Sequence, residues 1–205
     1  MSAGGTGKKR LERDPRDQYP TPPWQTKVLL DHITPHGLIV EPCAGVGQMS
    51  GALKANIPPH IDYRLVTGDL FEPAGRVMMP GFDATDSDSW SELRSLHGKP
   101  DWVITNPPFK HAYEILLQGY DRTTFGVALI LRTTFMEPTL TRGRWLAEHP
   151  PDLRLVLPRT KYRIDTVSSD SVTTEWMVWL KVNTARGTVV IPRGAVDDLK
   201  MRSFG

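Results

Sequence analysis

Two hydrophobic periods alternate along this chain. Short apolar-rich runs at Leu38–Val40, Tyr63–Thr67, Trp102–Thr105 and Val127–Leu131 predict strands, and the stretches between them repeat apolar residues at helical spacing. Thr21-Pro22-Pro23 offers a cap and a proline-bearing first turn, after which Trp24, Val28, Leu29 and Ile33 predict a helix ending near Thr34-Pro35. Met49, Ala52 and Leu53 carry a second helix, and His111–Gly119 reads as another. Ser89-Trp90-Ser91-Glu92 has the form of a capping box ahead of Leu93 and Leu96. Val127–Leu131 is apolar on both faces, as a central strand of a parallel sheet must be. Strands alternating with helices build right-handed βαβ units, so the expected fold is α/β with helices on both faces of a mostly parallel sheet.

The pattern changes in the last third. Leu153–Leu157 and Glu175–Val182 predict two strands with no helix-length apolar period between them, which suits an antiparallel closing pair. The second is too apolar on both faces to be an edge, so Trp176 and Trp179 read as core. Gly187–Pro192 predicts an edge strand that Pro192 ends. Met1–Gln18 mixes Gly, Lys, Arg and Asp without apolar periodicity, which predicts a mobile tail ahead of a single domain over residues 19–205.

Composition narrows the class. At 39% hydrophobic and 23% charged residues, the 205-residue chain can bury a core, which excludes a disordered or fibrous protein. The longest strongly apolar run, Val127–Leu131, is far too short to cross a bilayer, and no apolar stretch follows the N-terminal charges. A lone cysteine, Cys43, allows neither an internal disulfide nor a CxxC metal site, so a reducing compartment, the cytoplasm, is expected. Net charge is only +2, but it is unevenly spread. From Asp62 to Asp101 eight acids face four bases, whereas from Arg132 to Arg163 seven bases face three acids. The first segment suits a cation and the second suits phosphates.

Two motifs carry chemistry. Glu41-Pro42-Cys43-Ala44-Gly45-Val46-Gly47 lies between the first strand and a helix, where glycines let a backbone approach a ligand. Gly45-x-Gly47-x-x-x-Gly51 is also compatible with a nicotinamide-enzyme loop or a plain turn. An acid ahead of the loop disfavours a pyrophosphate and favours a cationic ligand. The second motif, Asn106-Pro107-Pro108-Phe109, closes the third apolar strand. Its prolines stiffen the chain, the Asn106 side chain and the Pro107 carbonyl supply two acceptors for one NH2 group, and Phe109 adds a face for stacking a base. His32 and His36 are four apart, but Pro35 breaks the helix that would align them, so no metal site is expected. Cys43 lacks a histidine partner in its motif and reads as a small buried residue.

With both motifs in hand, the chain resembles class I S-adenosylmethionine-dependent methyltransferases with a Rossmann-like fold, specifically compact phage and prophage DNA adenine N6-methyltransferases. The resemblance covers about Tyr19–Lys181 and rests on YPTPPW, EPCAGVGQ, NPPF, LRTTFMEP and SSDSVTTEWMVWLK. It implies that Glu41, Cys43, Ala44, Gly45 and Gly47 form the S-adenosyl-L-methionine loop, with Thr21 and Trp24 packed against it. Asp69 would serve the cofactor's ribose and Asp83 its adenine amino group, with Asp86 competing for the second role. Asn106, Pro107, Pro108 and Phe109 would hold the target amine. Larger family members carry a separate target-recognition domain, for which these residues leave no room. Arg159–Thr174 is then the candidate DNA-reading loop, with Arg132, Arg159, Lys161 and Arg163 on phosphates. The expected activity is methylation of adenine N6 in double- or single-stranded DNA, at short or lax sites. Alternatives are an amino-methyltransferase of the same fold acting on RNA or protein glutamine, and a non-catalytic nucleic-acid-binding module.

Overall fold

A computed structural model describes residues 20–72, 75–159, 173–181 and 187–190. The expected N-terminal tail and most of the candidate DNA-reading loop, with Lys161 and Arg163, lie outside them. Along the chain run α1 (Pro23–Leu30), β1 (Gly37–Glu41), α2 (Gln48–Asn56), β2 (Tyr63–Asp69), β3 (Met79–Pro80), α3 (Ser87–His97) and β4 (Trp102–Thr105). There follow α4 (Ala112–Arg122), β5 (Gly126–Arg132), α5 (Gly143–Glu148), β6 (Leu153–Val156), β7 (Thr174–Leu180) and β8 (Gly187–Val190).

The strands form one sheet in the order β3-β2-β1-β4-β5-β7-β6-β8. From β3 to β5 all neighbours are parallel, β7 runs antiparallel to both β5 and β6, and β6 pairs parallel with β8. The antiparallel closing pair is thus present, with its second member β7 inserted between β5 and β6. That interior position explains why Trp176 and Trp179, which point to opposite faces, are both fully buried.

Alternation along each strand splits the core into two layers. Val127, Leu129 and Leu131 meet Trp90, Leu93, Ile115 and Leu116 of α3 and α4 on one face. Ala128 and Ile130 meet Val28, Leu29, Met49 and Leu53 of α1 and α2 on the other. Each fully buried Val, Leu, Ile or Met side chain contributes about 1.5–3 kcal/mol, and α1 is further fixed by the Trp176 indole N–H donating to Gln25 O at 2.7 Å. Among the described residues no helix is long and apolar enough to cross a membrane.

Two helix boundaries and two short elements differ from the sequence reading. α1 stops at Leu30, and Ile33 reaches the core from the following turn, its N–H still bonded to Leu29 O. α3 begins two residues before Ser89, because Asp86 is the N-cap and accepts the Ser89 N–H at 3.1 Å; the apparent box lies inside the helix. The two-residue β3 and the six-residue α5 are too short to show a period.

Candidate active site

The carboxyl ends of β1, β2 and β4 open onto a cavity of about 620 Å³, at the edge where α/β sheets bind ligands. β1 delivers Glu41, after which the loop turns into α2 through Gly45 (φ +50°) and Gly47 (φ +83°). A Cβ on either glycine would meet nothing within 4 Å, so backbone conformation and not crowding requires them there. The loop is tied to the end of β2. Ala44 N donates to Gly68 O at 3.0 Å and Gly45 N to Asp69 Oδ2 at 2.8 Å, while Asp69 Oδ1 accepts from Phe71 N at 2.9 Å and Glu72 N at 3.2 Å. Asp69 therefore organises the glycine loop itself, a task its sequence position does not reveal.

Glu41 is buried and accepts a hydrogen bond from the Ser50 hydroxyl of α2. Burial pushes its pKa up to about 8; the Ser50 hydrogen bond opposes the rise and the Asp69 charge adds to it. Cys43, partly buried in the cavity lining where the sequence predicted a buried residue, is pushed up too, first by burial and then by Asp69, which favours the neutral thiol.

A second wall comes from Phe82, Asp83 and Ala84. Phe82 packs edge-on against Trp90 with ring centroids 5.2 Å apart, and a Cβ on Gly68 would come within 2.9 Å of the Phe82 side chain. Asp83 lines the cavity, its Oδ1 accepting from the Thr85 N–H at 2.9 Å and hydroxyl at 2.7 Å. Its competitor Asp86 does not line the cavity and is committed to capping α3.

β4 ends in Asn106-Pro107-Pro108, all three lining the cavity. The Asn106 amide nitrogen donates to Thr21 Oγ1 at 3.1 Å, which joins the segment before α1 to the strand end and directs the amide oxygen the other way. Phe109 opens a short 3-10 turn through His111 and does not line the cavity. The Arg132 guanidinium lies 4.7 Å from the Phe109 ring centroid, a cation–π contact that ties the end of β5 to the motif.

Thr21, Glu41, Cys43, Ala44, Gly45, Asp69, Asp83, Asn106, Pro107 and Pro108 thus share one cavity. Trp24 sits in the core under α1, and Gly47 caps α2 away from the lining. Arg159 is exposed just beyond β6. Sequence reasoning missed Val46, Leu70, Phe71, Lys110 and His111, which line the cavity and are all exposed. Leu70-Phe71 directly after Asp69 was the available signal, since a strand-end acid and the next side chains share one edge.

Several bases counted toward phosphates are already engaged. Arg154 pairs bidentately with buried Glu175 at 3.1 and 2.7 Å, Arg142 donates to Phe135 O and Thr134 O, and Arg144 pairs with Glu148. His32 Nδ1 lies 2.8 Å from Val28 O and the His36 ring is tilted against Phe125 with centroids 4.6 Å apart, so the two imidazoles have separate neighbours. Among the described residues no group of three or more His, Cys, Asp or Glu could hold a metal ion.

No protein-family model matches the chain, and no curated protein sequence matches it. Solved structures do. A candidate class I S-adenosylmethionine-dependent methyltransferase from Listeria monocytogenes superposes with TM-score 0.56 at 10% identity, covering 88% of this chain and 65% of that one. This chain has the class I methyltransferase fold. The modification subunit of a candidate type I restriction enzyme from Vibrio vulnificus gives 0.51 at 12% identity, covering 91% and 53%. A candidate RNA methyltransferase from Pyrococcus horikoshii gives 0.51 at 18%, covering 82% and 88%. Identities this low establish the fold alone, and the chain spans 65% of the Listeria protein and 53% of the Vibrio subunit.

Proposed function

We propose that this protein is a methyltransferase that uses S-adenosyl-L-methionine to methylate the exocyclic N6 amine of adenine in DNA, at short or lax sites. The observation that carries the reading is Asn106, hydrogen-bonded to Thr21, at the strand end that faces the glycine loop, Glu41 and Asp83 across one cavity. The donor set fits the cofactor. Glu41 is a buried carboxyl whose ionisation awaits a cation, the positive-φ glycines border open space, and the volume suits a nucleoside-sized ligand.

When bound, S-adenosyl-L-methionine supplies an electrophilic methyl group on a positive sulfur. Glu41 offers the cation a negative charge, and Asp69 and Asp83 offer acceptors to its ribose and adenine. At the target, the Asn106 side-chain oxygen and the Pro107 carbonyl accept the two amine N–H groups, which pulls the nitrogen lone pair out of conjugation and meets the developing positive charge. No strong general base is needed, because positioning and preorganised acceptors lower the barrier. Phe109, steadied by Arg132, offers a ring face to an adenine out of its stack. The Vibrio protein is a modification subunit of a candidate type I restriction enzyme and the Pyrococcus protein a candidate RNA methyltransferase; a nucleic-acid substrate suits the basic segment from Arg132 to Arg163, and the nucleoside product separates DNA from RNA.

Incubation of plasmid DNA, tRNA and rRNA with labelled cofactor, followed by digestion to nucleosides, is expected to yield N6-methyldeoxyadenosine. Asn106→Ala should lower turnover by about two orders of magnitude or more, as loss of one positioned acceptor costs about 3 kcal/mol in the transition state, while calorimetric affinity for S-adenosyl-L-methionine stays within about threefold. Full activity in Asn106→Ala, or label in RNA alone, would overturn the assignment.

A further inference from the structure

The segment that leaves β5 beside the catalytic strand ends in a tip with an unusual occupant. β5 pairs with β4 as far as Thr105↔Leu129, and Arg132, the last residue of β5, reaches over Phe109. A short 3-10 turn (Thr133–Met136) then leads into residues 137–142. This loop is held from within. Arg142 Nε donates to Phe135 O at 2.7 Å, its guanidinium lies 5.1 Å from the Phe135 ring centroid, and Gly143 N donates to Thr139 O at 2.8 Å. The base is also pinched, since a Cβ on Gly143 would stand 3.0 Å from the Pro138 carbonyl carbon.

At the tip stands Leu140, at 104% relative exposure, against 45–63% for the other exposed large apolar side chains. A loop this well bonded holds a leucine wholly in water, on the side of the molecule that carries the Asn-Pro-Pro motif. Arg142 and Arg144 at the loop's base are engaged with Phe135 O, Thr134 O and Glu148, so the tip itself presents Leu140 between two threonines without a charge of its own. Proteins that unstack DNA insert Leu, Ile, Phe, Met or Pro side chains between base steps.

We propose that Leu140 is a wedge that enters the base stack of duplex DNA beside the target adenine and fills the space the extruded base leaves. The proposal rests on the reading that the target is adenine in DNA. It makes Leu140 a positioning residue, needed where the base must leave a duplex and idle where it is already unpaired. The partner is the stacked base pairs themselves, with the hydroxyls of Thr139 and Thr141, 3.2 Å apart, on either side of Leu140 in the chain.

The test compares one adenine-containing strand, alone and paired with its complement, for wild type, Leu140→Ala and Leu140→Phe. Leu140→Ala is expected to lower kcat/KM on the duplex roughly tenfold or more while the single-strand rate stays within about twofold, and Leu140→Phe should restore most of the duplex rate. The fluorescence rise of 2-aminopurine at the target position in the duplex should shrink in Leu140→Ala alone. Equal effects on both substrates, no effect on either, or a wild type active only on single strands would overturn the wedge. So would a Leu140→Ala chain whose only change is loss of self-association in sedimentation, which would make the tip a protein contact. Wild type inert on every DNA would instead remove the adenine-in-DNA reading, and the wedge with it.

Discussion

Glu41 sits beneath the glycine loop with the Ser50 hydroxyl as its donor and the Asp69 carboxylate near by. Its ordinary value is 4.5, and in the folded protein it rises to about 8. The folded chain therefore holds this proton more tightly than the unfolded chain. The stability that follows is complete below pH 4.5 and declines as pH climbs toward 8, by up to about 1.4 kcal/mol per pH unit. A bound sulfonium reverses the balance by favouring the carboxylate. Thermal melts of the ligand-free protein should thus show falling stability between pH 5 and 8, and Glu41→Gln should flatten that slope. Affinity for S-adenosyl-L-methionine should rise with pH until about 8, with a proton released on binding that calorimetry in buffers of different ionisation enthalpy can count. A pH-independent affinity with no proton release would show that Glu41 does not face the cation.

Elements in this sheet meet through glycines whose missing side chains have different consequences. At Gly126, where β5 starts beside β7, a Cβ would stand 2.5 Å from the Trp179 carbonyl oxygen, part of a backbone that cannot step aside. At Gly68 in β2 the obstacle is the root of the Phe82 side chain at 2.9 Å, whose ring is buried against Trp90 and lies next to Asp83 of the cavity wall. Gly126→Ala is accordingly expected to cost roughly 1–3 kcal/mol in urea unfolding with ligand affinity little changed in the folded fraction. Gly68→Ala should also weaken cofactor binding in the folded fraction, because displacing Phe82 displaces Asp83. Unchanged affinity in both variants would contradict this division. The helix boundaries follow the same logic of local rivals. Ser89 and Glu92 have the form of a cap, yet Asp86 three residues earlier takes the Ser89 N–H and starts the helix first.

Along the whole chain, the segment from Asp62 to Asp101 is acidic and that from Arg132 to Arg163 is basic. If Arg159, Lys161 and Arg163 grip phosphates, DNA affinity should fall with salt by a slope of about −0.9 per contact. Their joint replacement by Ala should then reduce the slope by roughly two to three and weaken all sequences alike. A loss confined to one base context would mean that they read bases. The alternation of strands and helices, apart from the short β3 and α5, and the two-faced burial of Val127–Leu131 and of the strand bearing Trp176 and Trp179 were legible in the sequence, because hydrophobic period and backbone punctuation are local properties. The partners of polar side chains were not. Asp69 reaches Gly45 across 24 residues, Arg154 reaches Glu175 across 21, and Asn106 reaches Thr21 across 85. Tertiary structure alone decided that Asp69 would build the glycine loop, that Arg154 would be taken up by buried Glu175, and that a threonine ahead of the first helix would orient the Asn106 amide. A hydrogen bond selects its partner by proximity in space, and such proximity leaves no period in the chain.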